Sequence, residues 1–222
     1  MFDSPSFRRG IRDSILILVA VASFGVAYGV LAVGAGFSPG LAIFSSVIIV
    51  SGAAQFAMIG LLSAGTVPVL LAVTGLGLRH LPMSAAMAKM IGPQPLRTRL
   101  RLAWILVDET FGLTVRADSA GVEDIVAYKS AADLMLYSGW VAGTAIGAWF
   151  GDAIDPEEVG IGVLFSLLFL GLAAPMIHRR RDWVVVGSAV AATWIATLVL
   201  PPAWQITVAA VAASLVGAGL GE

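Results

Sequence analysis

An all-α integral membrane protein is what this sequence predicts, and three features carry the prediction. Hydrophobic residues make up 59% of the 222-residue chain and charged residues 12%, with a mean hydropathy of +0.94. That is too little charge to cover a water-soluble globule. Apolar runs recur along the whole chain, at Ile15 to Val33, Leu41 to Leu62, Val67 to Ile91, Leu102 to Val115, Leu134 to Phe150, Val159 to Ile177, Trp183 to Leu200 and Ala203 to Leu220. None alternates polar and apolar residues, as the strands of a membrane β-barrel do. The expected architecture is a single polytopic domain over residues 1–222, with about seven to eight transmembrane helices and at least one short, broken or re-entrant segment.

Taken in order, the basic N-terminus MFDSPSFRRGIRDS precedes a 19-residue run, longer than the apolar core of a cleaved signal peptide, and reads as a retained first span. The second and third runs are long enough to cross. The fourth, LAWILVDETFGLTV, has only 14 residues and reads as a short tilted span, a re-entrant segment or half of a broken helix. Arg116 to Asp133 is the longest polar stretch, mixed in charge, and reads as a loop with room for an interfacial helix. In the fifth run Gly139, Gly143, Gly147 and Gly151 recur every fourth residue, forming a stripe that allows close approach of another helix. Its partner is either a helix of the same chain or another subunit. Trp140, Trp149, Trp183, Trp194 and Trp204 read as interfacial anchors.

The positive-inside rule places Arg8, Arg9 and Arg12 in the cytoplasm, together with the HRRR run at His178 to Arg181. The acidic turn GDAIDPEE and the turn LPPAW then fall outside. Eight crossings with both termini inside satisfy this, yet they strand Arg97, Arg99 and Arg101 on the outer side. An interrupted or re-entrant segment between residues 41 and 115 resolves the conflict.

Several function classes drop out. Scattered basic residues and a net charge of −1 leave no footprint for nucleic acid. Without cysteine there are no disulfides, thiolate metal sites or cysteine nucleophiles, and His80 and His178 stand in no metal-binding spacing. No metal, no cofactor and no enzyme activity is expected.

Three stretches carry candidate chemistry. In SGAAQF, Ser51, Gly52 and two alanines lead to Gln55 inside an apolar helix; its amide calls for hydrogen-bond partners, supplied by another helix or by a ligand. In GLGLRHLPMSAAM, Arg79 falls about 18 Å along a helix begun at Val67, near the middle of a ~30 Å hydrocarbon layer. Pro82 removes the N–H that Leu78 would bond, and Gly75 and Gly77 weaken the preceding turn, so a break is expected near residues 78–82. Such breaks are tolerated where they are buried in protein or face water, as in transporter sites; the other reading is Arg79 snorkelling to head groups. In LVDETF, Asp108 and Glu109 lie about 100° apart on a helix, so one is free to meet a cation while the other faces a cavity or solvent.

The order and spacing of SGAAQF, LRHLPMSAAM and DETFGLT resemble the AzlC family, the large subunit of branched-chain amino acid exporters, and the resemblance runs through the closing LPPAWQITVAAVAASLVGAGLG. Gly77 stands where the family pattern has Asn, and Pro82 where an apolar residue is commoner. The resemblance implies a multi-pass protein of the bacterial cytoplasmic membrane that exports leucine, isoleucine and valine, with methionine as a further candidate, together with a small AzlD-type membrane subunit. Ser51, Gly52, Gln55, Arg79, His80, Asp108 and Glu109 are the candidates for substrate binding or coupling. Residue chemistry suits a zwitterion: Arg79 and a helix break for the carboxylate, Asp108, Glu109 or freed carbonyls for the ammonium. The alternatives are a structural membrane subunit, a transporter of another small amphipathic solute, and an intramembrane aspartyl protease, whose GxGD signature is missing at Gly75.

Overall fold

The computed structural model describes residues 4–150, 170, 177, 179–200 and 202–220, and every regular element among them is helical. The sequence's sixth apolar run, apart from Leu170 and Ile177, lies outside the described residues, as do the acidic turn at 151–158, Gly151 and His178. The described residues group into two compact units, one of 4–55 with 77–150 and one of 56–76 with 179–200 and 202–220.

The first unit is built on two long helices. α1 runs over Pro5–Gly34, opened by Ser4, whose hydroxyl accepts from the Phe7 N–H at 3.1 Å, with Pro5 in the first turn where its missing N–H leaves nothing unpaired. The second long helix runs over Ile125–Phe150; it is labelled α8 here, after α2 (Pro39–Ile48), α3 (Gly52–Gly60), α4 (Thr66–Gly77), α5 (His80–Ile91), α6 (Leu96–Trp104) and α7 (Asp108–Ser119). Helices α1 and α8 pack in parallel. Gly10 faces Tyr128 and Ala131, Gly25 faces Trp140 and Thr144, and Gly29 faces Thr144 and Ala148. From the other side Gly139, Gly143 and Gly147 receive Leu18, Ala22 and Val26. The glycine stripe therefore serves packing within the chain, because a Cβ at any of these positions would run into the facing helix.

Around this pair the sequence runs divide. Leu41 to Leu62 is two helices, α2 and α3, separated by an extended Ile49 and two further non-helical residues. Val67 to Ile91 is interrupted for two residues, Leu78 and Arg79, within the expected window; counted end to end, Thr66–Ile91 is 26 residues long and apolar enough to cross a membrane. Pro82 sits in the first turn of α5, where it breaks no helical bond. Leu102 to Val115 is likewise two half-helices, split at residues 105–107.

One reading of the sequence needs correction. Arg116 to Asp133 is not a loop: it closes α7, turns at Gly121 (φ +70°) and forms the first two turns of α8. Its polar residues mislead because Lys129 and Asp133 satisfy each other inside the helix. The interruptions expected between residues 41 and 115 are present, and the conflict over Arg101 disappears with them. The Arg101 guanidinium donates to Ser130 at 3.0 Å, beside the Tyr128 and Ala131 that face Gly10, so Arg101 lies at the same end as Arg8, Arg9 and Arg12.

The second unit contains a 3-10 turn at Leu62–Ala64, α4, and an antiparallel pair, α9 (Arg180–Val199) and α10 (Pro202–Gly219). Gly217 lies against Val185 across that pair. Trp149 on α8 and Trp183 and Trp194 on α9 are exposed, in keeping with lipid-facing side chains.

Replacing Gly143 or Gly147 by alanine should displace α1 from α8 and lower stability by about 1–3 kcal/mol or more. Gly187→Ala, on α9 with open space around it, should be neutral or stabilising by up to about 1 kcal/mol. Thermal inactivation of detergent-purified protein, followed by gel filtration, distinguishes the two. A normal midpoint for Gly147→Ala would refute the packing.

Candidate functional site

One face of α8 organises the polar interior. Lys129, Asp133, Leu136, Trp140 and Thr144 are spaced by four, three, four and four residues and share that face, and all but Trp140 are fully or almost fully buried. Two of the three interruptions of the neighbouring helices come to it.

The first interruption is tied down by hydrogen bonds. Gln55, in the first turn and a half of α3, reaches back to the end of α2: its Nε2 donates to Ser45 Oγ at 3.2 Å and to Ser46 Oγ at 3.1 Å. Its Oε1 accepts from the indole of Trp140 at 2.8 Å. The network continues through Tyr28 to Ser45 (2.6 Å), and through Ser46 to Thr144 (2.8 Å). Tyr137 donates to the carbonyl of Val47 at 3.1 Å. The rings of Tyr28 and Trp140 stack with centroids 5.9 Å apart. Gly52 is needed because a Cβ there would lie 2.8 Å from the Trp140 ring, and Ser51 accepts from the Ala54 N–H at 3.4 Å at the start of α3. Both amide N–H groups of Gln55 are thus used inside the protein. Trp140, expected as an interfacial anchor, is part of this interior, because the amide supplies an acceptor that the apolar run around Trp140 conceals.

The second and third interruptions meet. Arg79 Nη1 and Asp108 Oδ2 form an ion pair at 2.7 Å, joining the turn before α5 to the first residue of α7. Both side chains stay partly accessible, at 38% and 50%. His80 Nδ1 lies 3.0 Å from the Gly77 carbonyl, closing the end of α4. Asp108 and Glu109 stand in the first turn of α7, where the helix dipole favours negative charge. Glu109 points elsewhere on the helix and forms no ion pair among the described residues. The Thr110 hydroxyl spans the gap, accepting from the Val107 N–H at 3.4 Å and lying 3.2 and 3.3 Å from the carbonyls of Val107 and Ile105.

Beside Thr110 lies the feature that the sequence reading missed. Lys129 Nζ donates to both oxygens of Asp133, at 2.6 and 2.7 Å, in a pair shielded from solvent. Its signal was present in the phase of the helix: stepping back from Trp140 by seven and eleven residues leads to Asp133 and Lys129. Asp133 stands about 10 Å below Trp140 along α8 at 1.5 Å per residue, so the ion pair and the glutamine network occupy successive levels of one face.

The AzlC protein family matches residues 16–154, more than half of the chain. The chain belongs to the AzlC family. The match takes in all three interruptions and the α8 face, and ends before α9. Among individual proteins, an uncharacterized membrane protein of Archaeoglobus fulgidus is 35% identical over 192 residues, covering 85% of this chain and 84% of its own. The inner membrane protein YgaZ of Escherichia coli is 28% identical over 203 residues, with 85% and 80% covered. No solved structure matches. This AzlC protein is therefore a membrane protein by family as well as by composition.

Two outcomes follow from the geometry. Gln55→Leu keeps the volume but strands the Trp140 N–H and two buried serines, and should destabilise by about 1–3 kcal/mol. Asp133→Asn leaves a buried ammonium without its counter-charge and should lower stability by about 3–5 kcal/mol, whereas the double change Lys129→Met with Asp133→Leu should recover most of it. Thermal denaturation in detergent reads both, and a double variant no more stable than Asp133→Asn would contradict the pairing.

Proposed function

We propose that this AzlC protein is a multi-pass subunit of a secondary transporter in the bacterial cytoplasmic membrane, exporting the branched-chain amino acids leucine, isoleucine and valine, with methionine as a further candidate. Export is driven by protons or membrane potential, in company with a small AzlD-type membrane subunit. Family membership supports the membrane class. The observation that carries the transport reading is the Arg79–Asp108 pair, which sets opposite charges on two interrupted helices and leaves both reachable. Interrupted helices deep in a membrane protein bring charged ends and free carbonyls to a substrate. A zwitterionic amino acid offers a carboxylate to Arg79 and an ammonium to Asp108, and its apolar side chain needs only the surrounding aliphatic residues. Glu109, without an ion pair among the described residues, is the group assigned to proton coupling. The intramolecular use of the glycine stripe leaves the small subunit to dock on another face.

Liposomes loaded with labelled leucine, isoleucine, valine or methionine, carrying this chain with and without the small subunit, test the proposal. Export should require both chains. Arg79→Ala and Asp108→Asn should each slow it about tenfold or more, equivalent to about 1.4 kcal/mol, while Glu109→Gln should flatten its pH dependence. Arg79→Lys should also fail, since lysine lacks the planar fork that holds a carboxylate. Full export by correctly inserted Arg79→Ala would remove the substrate site from this pair.

A further inference from the structure

At the arginine-rich end of the first unit, α1, α7 and α8 enclose a cavity of about 410 Å³ whose walls carry Arg9, Arg12 and Arg116, with Asp13 and Tyr128 beside them and Leu113 at its apolar side. Three guanidinium groups face one carboxylate. That carboxylate is engaged: Tyr128 donates to Asp13 Oδ2 at 3.1 Å, and Arg9 Nε stands 3.7 Å from the same oxygen. Among the described residues neither Arg12 nor Arg116 forms an ion pair. The cavity therefore holds an excess of positive charge, and guanidinium forks match phosphate oxygens in geometry as well as in sign.

Its level in the molecule points to the carrier of that phosphate. Immediately after Asp13, α1 turns apolar and exposed, with Ile15, Leu16 and Val19 open and Leu16 at 84%. The arginines thus stand where acyl chains end and head groups begin, on the side that the positive-inside rule assigns to the cytoplasm. We propose that this pocket is a binding site for the phosphate of an acidic phospholipid, whose acyl chains lie along the exposed apolar face of α1. A bound lipid clamps the N-terminal ends of α1 and α8 to the C-terminal end of α7, independently of any substrate.

The test is thermal stability and native mass spectrometry of the whole purified protein, titrated with phosphatidylglycerol, with phosphatidylcholine, and separately with inorganic phosphate or glycerol phosphate. Phosphatidylglycerol should raise the melting temperature and remain bound, while phosphatidylcholine does neither. Arg12→Gln with Arg116→Gln should weaken phosphatidylglycerol binding roughly thirtyfold, at the strength basic side chains show toward acidic lipid. Each single change, at an exposed position, should have a smaller effect and serves as the folding control. Arg97→Gln with Arg99→Gln, which removes as much charge elsewhere, should leave binding intact. Equal stabilisation by the soluble phosphates would keep the anion site but reject the lipid as its occupant. Equal binding of both lipids by the wild type, or undiminished phosphatidylglycerol binding by the Arg12 and Arg116 double variant, would overturn the proposal.

Discussion

Everything described in the first unit hangs on the parallel contact between α1 and α8. Two long helices running the same way cannot be joined by a short turn, so the chain must cover the return distance between Gly34 and Ile125 with other elements. Glycines at every fourth position bring the two backbones close, which suits association in lipid, where apolar side chains gain little from leaving one oily medium for another. The return path is made of short helices. It is among these short helices that helix ends, and hence unpaired backbone groups and charges, are found inside the protein.

The interruptions persist because each is satisfied in its own way. At the first, one glutamine amide and two serines hold α2 and α3 together and anchor both to Trp140 and Thr144 on α8. At the third, Thr110 bridges the gap from within α7. At the second, Arg79 reaches outside its own segment to Asp108. Polar groups that would be prohibitive in a single apolar helix become tolerable once they meet one another.

Much of this was legible in the sequence, and the limits have physical causes. Composition and run length settle the all-α membrane class, and the proline and glycines around Arg79 locate the second break to within its window. The partners were harder. Gln55 and Trp140 are 85 positions apart, and nothing in the apolar run around Trp140 announces that its indole faces inward. Lys129 and Asp133 were hidden by composition: in a stretch with Arg116, Asp118, Glu123 and Asp124 they read as solvated, and only helical phase separates the buried pair from its exposed neighbours. The glycine stripe was plain as a stripe, but a spacing of four says that a helix comes close and not which one.

The buried ion pair and the accessible one differ in a way that bears on mechanism. Lys129 and Asp133 belong to the same helix, bond through both carboxylate oxygens and are closed to solvent. Opening that pair exposes two charges to a medium that solvates neither, so the pair is held closed on the α8 face. Arg79 and Asp108 belong to different helices, touch through a single nitrogen and oxygen, and remain accessible. On the proposed reading, an amino acid entering between them breaks one ion pair and makes two, carboxylate to Arg79 and ammonium to Asp108, so no charge is left uncompensated at any stage. The same exchange separates α5 from α7 by the width of the substrate, which couples occupancy to the geometry of two helices. On the same reading a solute lacking either charge would leave the pair closed, so the pair would select for zwitterions.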